Sequence, residues 1–242
     1  MLSVLIVTHG HDKQWPVLLR SLAEQNSETL LKVYLLHNLP STVTTPNLPF
    51  QIQTTTNHKP TSLSHNHNQL IKKIDTEFTL ILNPDTKLPN GCLQELINHS
   101  KYHDLLSCPA YYPDGSIQPN ARVFPSPSGL LAEKLTQNRN RYYDLQQILS
   151  GNIQKFWIHG SLWFIKSSWL QKLGFSEKYR LYCEDLDFCH RLLLSGASIG
   201  MCQTTWFEHN FNRLSQRHPL YAYWHLQSLY RYFQMAKVHP LI

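Results

Sequence analysis

The sequence predicts an α/β fold with a mostly parallel central sheet flanked by helices. Short apolar runs at 2–7, 31–37 and 77–83 have the length and texture of buried strands. Segments with helical periodicity separate these runs, and strands that alternate with helices are typical of parallel sheets. The chain of 242 residues, 42% of them hydrophobic, is long enough to bury a substantial core. We therefore expect one compact domain with a Rossmann-like sheet.

Two helices are predicted between these strands. Each has its apolar residues at helical spacing on one face: Trp15, Leu18, Leu19, Leu22 and Ala23 in the first, and Leu70, Ile71 and Ile74 in the second. Ligands of open α/β sheets bind beyond the carboxyl ends of the strands. The residues that follow the strands, at 8–11, 37–38 and 83–85, are therefore the first candidates for a binding site.

The pattern changes after about residue 105, where regular structure gives way to turns and loops. The motif YYPDGS predicts a turn between extended segments, and 119–155, rich in Pro, Ser, Asn and Gln, predicts a long loop with one short helix at 142–149. The elements predicted after this loop are a strand at 161–165, a helix at 167–173 closed by Gly174, an acidic helix from Glu184 with a stop at Gly196, and a strand near 198–202.

Composition limits the classes of function. No run of about 18 apolar residues is present, and the opening MLSVLIV has no basic leader or cleavage site, so we expect a first strand and a cytoplasmic protein. The five cysteines include no CxxC pair, which fits reduced thiols better than disulfides or a zinc knuckle. A net charge of +6 and a pI near 9.0 indicate an anionic partner: a phosphorylated small molecule, a nucleic acid or an acidic membrane surface.

The motif LILNPDT places Asn83 and Asp85 at the end of a buried strand, and Pro84 fixes the turn between them. Hard divalent cations prefer oxygen ligands and share them with substrate phosphates. These side chains and a diphosphate would therefore suffice for a Mg²⁺ or Mn²⁺ site. An ordinary Asx-Pro turn is the alternative explanation.

The segment YCEDLDFCHRL gathers three carboxylates at 184–187. Read as a helix, it places Asp187 four residues before Arg191, which is the spacing of an ion pair. Its apolar face would consist of Leu186, Cys189, Leu192 and Leu193. The carboxylates could merely complement the helix dipole at a solvated helix start. The aromatic and apolar approach KYRLYC argues instead for a start held against the protein, where a carboxylate keeps a raised pKa and can serve as a general base.

With these motifs in order, the chain resembles the family 2 glycosyltransferases of GT-A fold, and among them the bacterial rhamnosyltransferase-like members, from Leu2 to about Phe233. The matching segments are VLIVTHGHDKQWPVLLRSLAEQ, TNHKPTSLSHNHNQLI, FTLILNPDTKLPNGCLQELI and GSLWFIKSSWLQKLGFSEKYRLYCEDLDFCHRLLLSGASIG. The last is the most specific, because a small residue, strand, helix, Gly-Phe and ED-x-D-x-x-x-R follow in that order. The resemblance implies a donor-binding half at 1–105, an acceptor-binding and catalytic half interleaved at 106–210, and a helical tail at 211–242.

What the resemblance implies is an inverting transfer of a sugar, with rhamnose favoured, from a dTDP- or UDP-linked donor to a hydroxyl of a glycan or lipid-linked glycan in cell-surface polysaccharide synthesis. Carried over by position, Asp185 is the general base and Glu184 orients the acceptor. Asp85 binds Mg²⁺ or Mn²⁺, and His209, in TTWFEHN after a strand-like stretch, completes the metal site. The implied donor-binding residues are Thr8, His9, His37, Asn38, Asn57, Asn66, Asn83 and Asp85. The implied acceptor-binding residues are Gly160, Ser161, Trp163 and Glu184.

Two departures from the family pattern concern the donor. The family usually has Asp before the Asn that ends the second strand; here the residue is His37, which can accept a proton from the base ring only as a neutral imidazole of the right tautomer. The glycines that the family has before its His-Asn pair, here His65 and Asn66, are replaced by Pro60, Thr61, Ser62 and Ser64. The backbone there is stiffer, and both changes leave the identity of the donor open.

Other classes of function stay open. The 14 histidines include i, i+2 pairs in THGH and HNHN. A zinc site normally adds a cysteine or a third histidine at a defined spacing, and these pairs have neither. Basic and aromatic residues mix in RYFQMAK, yet no recognition motif is present, so we expect no nucleic-acid partner. A fold that binds a nucleotide sugar or a metal without turnover is the third alternative.

The C-terminal stretch HPLYAYWHLQSLYRYFQMAK predicts a helix. Its apolar residues at helical spacing are Leu220, Tyr223, Leu226, Tyr230 and Phe233. This face would pack on the domain. Alternatively, the helix rests on the inner leaflet of the membrane, since Tyr and Trp favour the interface and basic side chains meet anionic lipid.

Overall fold

The computed structural model describes residues 1–25, 29, 31–136, 141–210 and 218–241. The strands are β1 Leu2–Thr8, β2 Leu31–His37, β3 Gln51–Thr56, β4 Phe78–Leu82, β5 Thr86–Lys87, β6 Leu105–Ser107, β7 Ala110–Tyr111, β8 Ile117–Gln118, β9 Ala121–Val123, β10 Phe156–Ile158, β11 Leu162–Lys166, β12 Ile199–Met201 and β13 Phe207–His209. The helices are α1 Trp15–Ala23, α2 Leu63–Ile71, α3 Cys92–His99, α4 Pro127–Thr136, α5 Arg141–Leu149, α6 Ser167–Leu173, α7 Glu184–Leu194 and α8 Pro219–Val238.

A seven-stranded sheet with the order β12-β6-β11-β4-β1-β2-β3 forms the centre of the molecule. Its neighbours pair in parallel, except that β11 is antiparallel to both β4 and β6. The α/β class and the mostly parallel sheet that the sequence predicts are therefore confirmed. The sheet takes strands from both of the segments that the sequence analysis separates near residue 105.

Helices cover both faces of this sheet. On β1, Val4 and Ile6 belong to the apolar cluster that includes α1 and α3, whereas Leu5 and Val7 belong to the cluster that includes α2, α6 and α7. All four side chains are buried. A strand buried on both faces explains why the sequence shows a continuous apolar run here instead of an alternating one.

A smaller sheet with the order β5-β13-β7-β8 lies beyond the carboxyl end of β4. Strand β13 is antiparallel to β5, and their register places His209 opposite Thr86. Because Thr86 directly follows Asp85, this pairing carries His209 to the turn that ends β4. An antiparallel ribbon of β9 and β10 leads into the segment before β11.

Three sequence predictions about these elements need correction. The segment 119–155 contains β9 and α4 as well as α5, although 137–140 lie outside the described residues. Strand β3 was not expected, because its side chains face largely solvent at the sheet edge and form no apolar run. His209 does not follow a strand but is the last residue of β13.

Helix α8 packs on the domain with a different face from the one that the sequence predicts. Four residues of the predicted face are 47–68% exposed: Leu220, Tyr223, Leu226 and Tyr230. The packed side includes Ser228, whose Oγ donates to the Leu181 carbonyl at 2.8 Å, and Tyr232, whose hydroxyl lies 3.0 Å from His190 Nδ1. Aromatic residues lie on both sides of the helix, so helical spacing alone does not identify the packed side. None of the helices among the described residues combines the length and apolarity needed to cross a bilayer.

Two of the tyrosines of α8, one buried and one exposed, provide a test of this packing. Tyr232 is 1% exposed and Tyr230 is 65% exposed. We expect Tyr232→Ala to lower the free energy of unfolding by about 3 kcal/mol, because it leaves a cavity and removes a buried hydrogen bond. Tyr230→Ala should change it by less than about 0.5 kcal/mol. Urea unfolding followed by circular dichroism measures both, and equal losses in the two variants would contradict the placement of the helix.

Candidate active site

The turn after β4 is held from two sides. Asn83 N donates to the Ser161 carbonyl at 2.9 Å, and the Asn83 carbonyl accepts from the Thr86 backbone and hydroxyl at 3.2 and 2.7 Å. Asn210 N donates to the Asp85 carbonyl at 3.0 Å. The backbone on either side of Pro84 is thus fixed to the residue before β11 and to the residue after β13, so the backbone that carries Asp85 has a defined position.

Asp85 and His209 face each other across this turn. Asp85 Oδ1 lies 3.4 Å from His209 Nε2, and Asn83 Nδ2 lies 3.4 Å from the same nitrogen. His209 is fully buried, and its Nδ1 lies 2.8 Å from Gln118 Oε1. With Nδ1–H donated to Gln118, Nε2 is the ring nitrogen that faces the carboxylate, and it can bind a cation there once it carries no proton.

This arrangement fits a divalent cation. Burial alone would raise the pKa of Asp85, but the hydrogen bond and charge of His209, with a further contribution from His11, hold that pKa below its ordinary value. Asp85 is therefore ionised at neutral pH. One carboxylate oxygen and one imidazole nitrogen suit Mn²⁺ or Mg²⁺, with the remaining ligands left to a diphosphate and water.

The first turn of α7 carries the acidic motif on a constrained backbone. Tyr182 and Cys183 have φ angles of 70° and 62°, in the left-handed region that non-glycine residues rarely adopt. No side chain caps this helix. Instead, Leu186 N donates to Asp185 Oδ1 at 2.8 Å, and Gly160 N donates to Asp185 Oδ2 at 3.0 Å. Both carboxylate oxygens of Asp185 are therefore oriented by the main chain.

The carboxylates of α7 are buried and do not lie at a solvated helix start. Glu184, Asp185 and Asp187 are 9%, 8% and 2% exposed, whereas Leu193, expected on the buried face, is half-buried. Burial raises the pKa of Glu184, and the charge of Asp185 raises it further. Burial also raises the pKa of Asp185 against the opposing hydrogen bonds from Gly160 and Leu186. The explanation by the helix dipole alone is thus wrong, because such a start would leave these groups in water.

Asp187 has a structural role, as the sequence predicts. Arg191 Nε donates to Asp187 Oδ2 at 2.7 Å, and the Tyr179 hydroxyl donates to Oδ1 at 3.0 Å. Arg191 also donates to the carbonyls of Leu173 and Gly174, which end α6. The ion pair therefore joins α7 to the preceding helix, and the predicted pairing of Asp187 with Arg191 is confirmed.

The predicted acceptor residues do not all lie at the site. Gly160 contacts Asp185, and a Cβ on Gly160 would lie 3.4 Å from Asp185 Cβ, so a larger residue would crowd the carboxylate. Ser161 is fully buried beside the Asn83 turn. The prediction that Trp163 binds the acceptor needs correction. Trp163 is fully buried, its Nε1 donates to the Ile158 carbonyl, and its ring packs against Phe175 and Phe188. It belongs to the core and has no surface to offer to an acceptor.

The predicted donor residues meet where β1, β2 and β3 end. Thr8 Oγ1 lies 2.8 Å from His37 Nδ1, and Asn38 N donates to the Thr8 carbonyl at 2.8 Å. Burial lowers the pKa of His37, although Asp12 opposes this effect. His37 is therefore a neutral imidazole at physiological pH, which is the state that contact with a base ring requires.

A network of amides extends this region toward α2. Asn38 Oδ1 accepts from Asn57 Nδ2 at 3.0 Å and from Thr61 N at 2.8 Å, while its Nδ2 lies 3.0 Å from His9 Nδ1. Asn66 Oδ1 accepts from Asn57 Nδ2 at 2.8 Å and from the Thr61 hydroxyl at 2.6 Å. Side-chain hydrogen bonds therefore fix the backbone of the segment 60–64, where the family has glycines.

Sequence reasoning assigned no role to several residues that surround the site, although His11 lies in the candidate segment 8–11. His11 interacts electrostatically with Asp85, and Arg122 does so with Asp185. The His159 ring lies 5.8 Å from the His209 ring, and its pKa is lowered to about 3, chiefly by burial. The THGH motif and the position of His159 before Gly160 were available signals, whereas Gln118 in β8 and Arg122 in β9 come from strands too short to give a pattern in the sequence.

The sequence is similar to two glycosyltransferases. It is 24% identical over 187 residues to the rhamnosyltransferase WbbL of Escherichia coli K12, which covers 72% of this chain and 70% of WbbL. It is 26% identical over 146 residues to the low-salt glycan biosynthesis hexosyltransferase Agl10 of Haloferax volcanii, which covers 58% of this chain and 44% of Agl10. No protein-family model matches the chain. These relatives support a role in glycosyl transfer.

The fold is similar to solved glycosyltransferase structures. The mannosyltransferase PcManGT of Pyrobaculum calidifontis, in complex with GDP-Man and Mn²⁺, superposes with a TM-score of 0.62 at 16% identity over 88% of this chain and 57% of that chain. Residues 1–349 of TarS from S. aureus, in complex with UDP-GlcNAc, give 0.60 at 16% identity over 88% and 59%. The chain thus spans less than two thirds of these structures. They confirm the GT-A fold, and with WbbL and Agl10 they confirm the resemblance to family 2 glycosyltransferases.

The buried acidic pair predicts a pH-dependent cost in stability. Because the pKa of Glu184 is raised in the folded protein, the unfolded chain loses its proton first as pH rises, and the free energy of unfolding falls from the ordinary carboxyl pKa upward to the raised one. Glu184→Gln should remove this fall and melt above wild type at about pH 9, with a smaller difference at about pH 5. Thermal melts of this variant and of the exposed control Glu24→Gln test it, and parallel pH profiles for wild type and Glu184→Gln would contradict it.

Proposed function

We propose that the chain transfers a sugar from a nucleoside diphosphate donor to a hydroxyl of a glycan or lipid-linked glycan, by an inverting and metal-dependent reaction. One observation carries the proposal: the adjacent residues Gly160 and Ser161 bind Asp185 on one side and the Asn83 turn on the other. A buried carboxylate and a cation-binding pair are thus joined through one short segment. The GT-A fold and the relatives that are glycosyltransferases support this function.

Asp185 is the proposed general base. Its two oxygens each accept one backbone hydrogen bond, which orients the carboxylate and leaves lone pairs for a proton. The acceptor hydroxyl would attack the anomeric carbon on the face opposite the diphosphate as its proton passes to Asp185. The new C–O bond forms, the bond to the diphosphate oxygen breaks with its electron pair, and one displacement inverts the configuration.

Glu184 is the proposed acceptor-binding residue. Its Oε2 is buried and has no hydrogen-bond partner among the described residues. A buried oxygen without a partner is costly, and an acceptor hydroxyl would satisfy it. Because the pKa of Glu184 is raised by burial and by Asp185, the pair can keep one proton, with Glu184 as its holder and Asp185 as the base.

Asp85 and His209 would hold the divalent cation, with Asn83 beside them. A bound Mg²⁺ or Mn²⁺ would neutralise the charge of the leaving diphosphate. Asp85 is ionised under the influence of His209, and Gln118 keeps the His209 ring in place. These residues therefore offer a formed ligand pair before the donor arrives. The complex of PcManGT with GDP-Man and Mn²⁺ supports a metal-assisted donor site in this fold.

The nucleoside would bind at the ends of β1 and β2, beside Thr8, His37 and Asn38. Contact with a base N–H requires the His37 tautomer in which Nδ1–H donates to Thr8 Oγ1 and Nε2 accepts. This contact suits thymine and uracil, so we propose a dTDP- or UDP-linked donor, and similarity to WbbL favours rhamnose.

The tail fits an acceptor at a membrane surface. The residues 218–241 contain no Asp or Glu, and α8 exposes tyrosine and leucine beside basic residues. Such a surface favours anionic lipid headgroups. Contact of the cytoplasmic membrane face with α8 is therefore part of the proposal for cell-surface polysaccharide synthesis, and sedimentation with anionic but not neutral vesicles would support it.

Replacing Asp185 tests the base. Asp185→Asn keeps the shape but cannot take a proton, so release of nucleoside diphosphate from dTDP-rhamnose or UDP-glucose, with a membrane extract as acceptor, should fall by about 10³-fold. Calorimetric binding of dTDP and UDP should stay within about twofold of wild type. The control Asp75→Asn removes an exposed carboxylate that pairs with Lys32, and it should leave both measurements unchanged. Transfer retained in Asp185→Asn would reject the assignment.

Replacing Asp85 tests the metal role. Wild type should bind dTDP or UDP more tightly with Mn²⁺ than with excess chelator, and Asp85→Ala should lose at least about tenfold of the affinity measured with Mn²⁺. Asp114→Ala, in the β7–β8 turn, is the matched control. Equal affinities for wild type and Asp85→Ala with Mn²⁺ would exclude this carboxylate as the ligand. Binding without turnover in every condition would favour the non-catalytic alternative.

A further inference from the structure

We infer that Glu95, His99 and Cys202 form a second cation site, separate from Asp85 and His209, with a preference for Zn²⁺ or a similar borderline cation. Their ligand atoms all lie within 4.8 Å of one another. Glu95 and His99 come from α3, and Cys202 comes from the segment after β12. The site uses none of the residues of the proposed transfer reaction, so a test of this inference does not depend on whether that proposal is correct.

The distances match a small tetrahedral ion. Cys202 Sγ lies 3.5 Å from His99 Nδ1, and His99 Nδ1 lies 4.0 Å from Glu95 Oε2. A tetrahedral Zn²⁺ with ordinary bond lengths separates sulfur and nitrogen by about 3.5 Å and nitrogen and carboxylate oxygen by about 3.3 Å. The separation of sulfur and nitrogen already matches, the Glu95 carboxylate would move about 0.7 Å toward Nδ1, and the His99 ring would turn its Nδ1 away from the Glu95 carbonyl. A thiolate and an imidazole also favour zinc over magnesium or calcium.

The fold supports each ligand. Glu95 and His99 are one helical turn apart and lie on the same face of α3. Cys202 N donates to the Ser107 carbonyl at 2.7 Å, which fixes the cysteine at the end of the central sheet. The Thr204 hydroxyl donates to Glu95 Oε2 and lies 3.3 Å from Cys202 Sγ. Hydrogen bonds of this kind orient metal ligands from the second layer.

Burial leaves a path for the ion. Cys202 is 1% exposed, whereas the side chains of His99 and Glu95 are 34% and 36% exposed. The thiol is therefore at the base of the site and the other two ligands are at its rim. With three protein ligands and contact with solvent, a water molecule would supply the fourth ligand.

Binding of a cation to this site would release a proton, which can be measured. Without metal, His99 Nδ1 lies 2.8 Å from the Glu95 carbonyl, so Nδ1–H donates there. Binding at Nδ1 breaks this hydrogen bond as the ring turns away from the Glu95 carbonyl, and the proton moves to Nε2 with no net change in the protons on the ring. The Cys202 thiol gives its proton to solvent as the sulfur–metal bond forms. One proton is therefore released for each cation bound.

A cation here would brace the proposed active site. Helix α3 follows the turn that carries Asp85, and Cys202 precedes β13, which carries His209. A bond from α3 to Cys202 would therefore join the two segments that present the catalytic ligand pair. The effect of the ion would be on stability, with no direct contact to substrate.

Cobalt titration of the chelator-treated full chain tests the site. Wild type should bind Co²⁺ with an absorption band for thiolate-to-cobalt charge transfer, and Zn²⁺ should displace it. Cys202→Ala should lose this band, and His99→Gln, a change at the rim that should not disturb folding, should weaken binding at least about tenfold. Two controls should keep the band: Asp85→Ala at the other site and Cys189→Ala, a buried thiol on α7.

Thermal melts give a second readout. Zn²⁺ should raise the melting temperature of wild type and of Asp85→Ala, because an ion that binds only the folded state stabilises it. It should not raise that of His99→Gln to the same extent. Absence of the charge-transfer band in folded wild type would overturn the inference, and so would a band of undiminished strength in both Cys202→Ala and His99→Gln.

Discussion

The main chain of Gly160 and Ser161 connects the two parts of the candidate active site. The N–H of Gly160 holds Asp185, and the carbonyl of Ser161 holds Asn83 beside Asp85. Backbone groups have no rotamers, so the separation between the proposed base and the proposed metal ligands is set by one dipeptide and not by flexible side chains. The antiparallel strand β11 that follows is fixed between β4 and β6, and this makes the dipeptide rigid.

The first turn of α7, which Gly160 contacts, carries three buried carboxylates. Glu184, Asp185 and Asp187 are all buried, yet within the described part of the chain only Asp187 has a cationic partner in direct contact, Arg191. Desolvation makes such groups unfavourable for folding. The surrounding core compensates, since Phe188 of the same helix packs against the rings of Trp163 and Phe175. Packing of the core thus offsets the unfavourable burial of Glu184 and Asp185, the two carboxylates whose pKa values burial raises.

Much of the central sheet follows from the sequence, because β1, β2 and β4 are apolar on both faces and therefore form continuous runs. Helix α7 was also predictable, since the pairing of Asp187 with Arg191 is local. The contact of His209 with Asp85 was not, because it depends on the register of β13 against β5 across distant segments. Trp163 and the packed side of α8 were misjudged for a related reason: aromatic residues pack as readily in a core as on a surface, and only tertiary contacts decide. The motif after β4 predicted a cation site at Asp85 and the segment 184–187 predicted a carboxylate base, and the family resemblance then selected Asp185 as that base.

The left-handed pair Tyr182 and Cys183 limits how the protein could be engineered. A designer seeking stability would place Ser, Thr or Asp at position 183, because such residues cap helix N-termini. An added cap would compete for the N–H of Leu186, which now binds Asp185. A stronger cap would take this hydrogen bond from Asp185, so a gain in stability at this position would disturb the carboxylate that we propose as the base. Helix α8 packs against this same segment, since Ser228 donates to the Leu181 carbonyl and the His225 ring lies 5.0 Å from the Tyr182 ring, so changes on its packed side would also reach the left-handed pair.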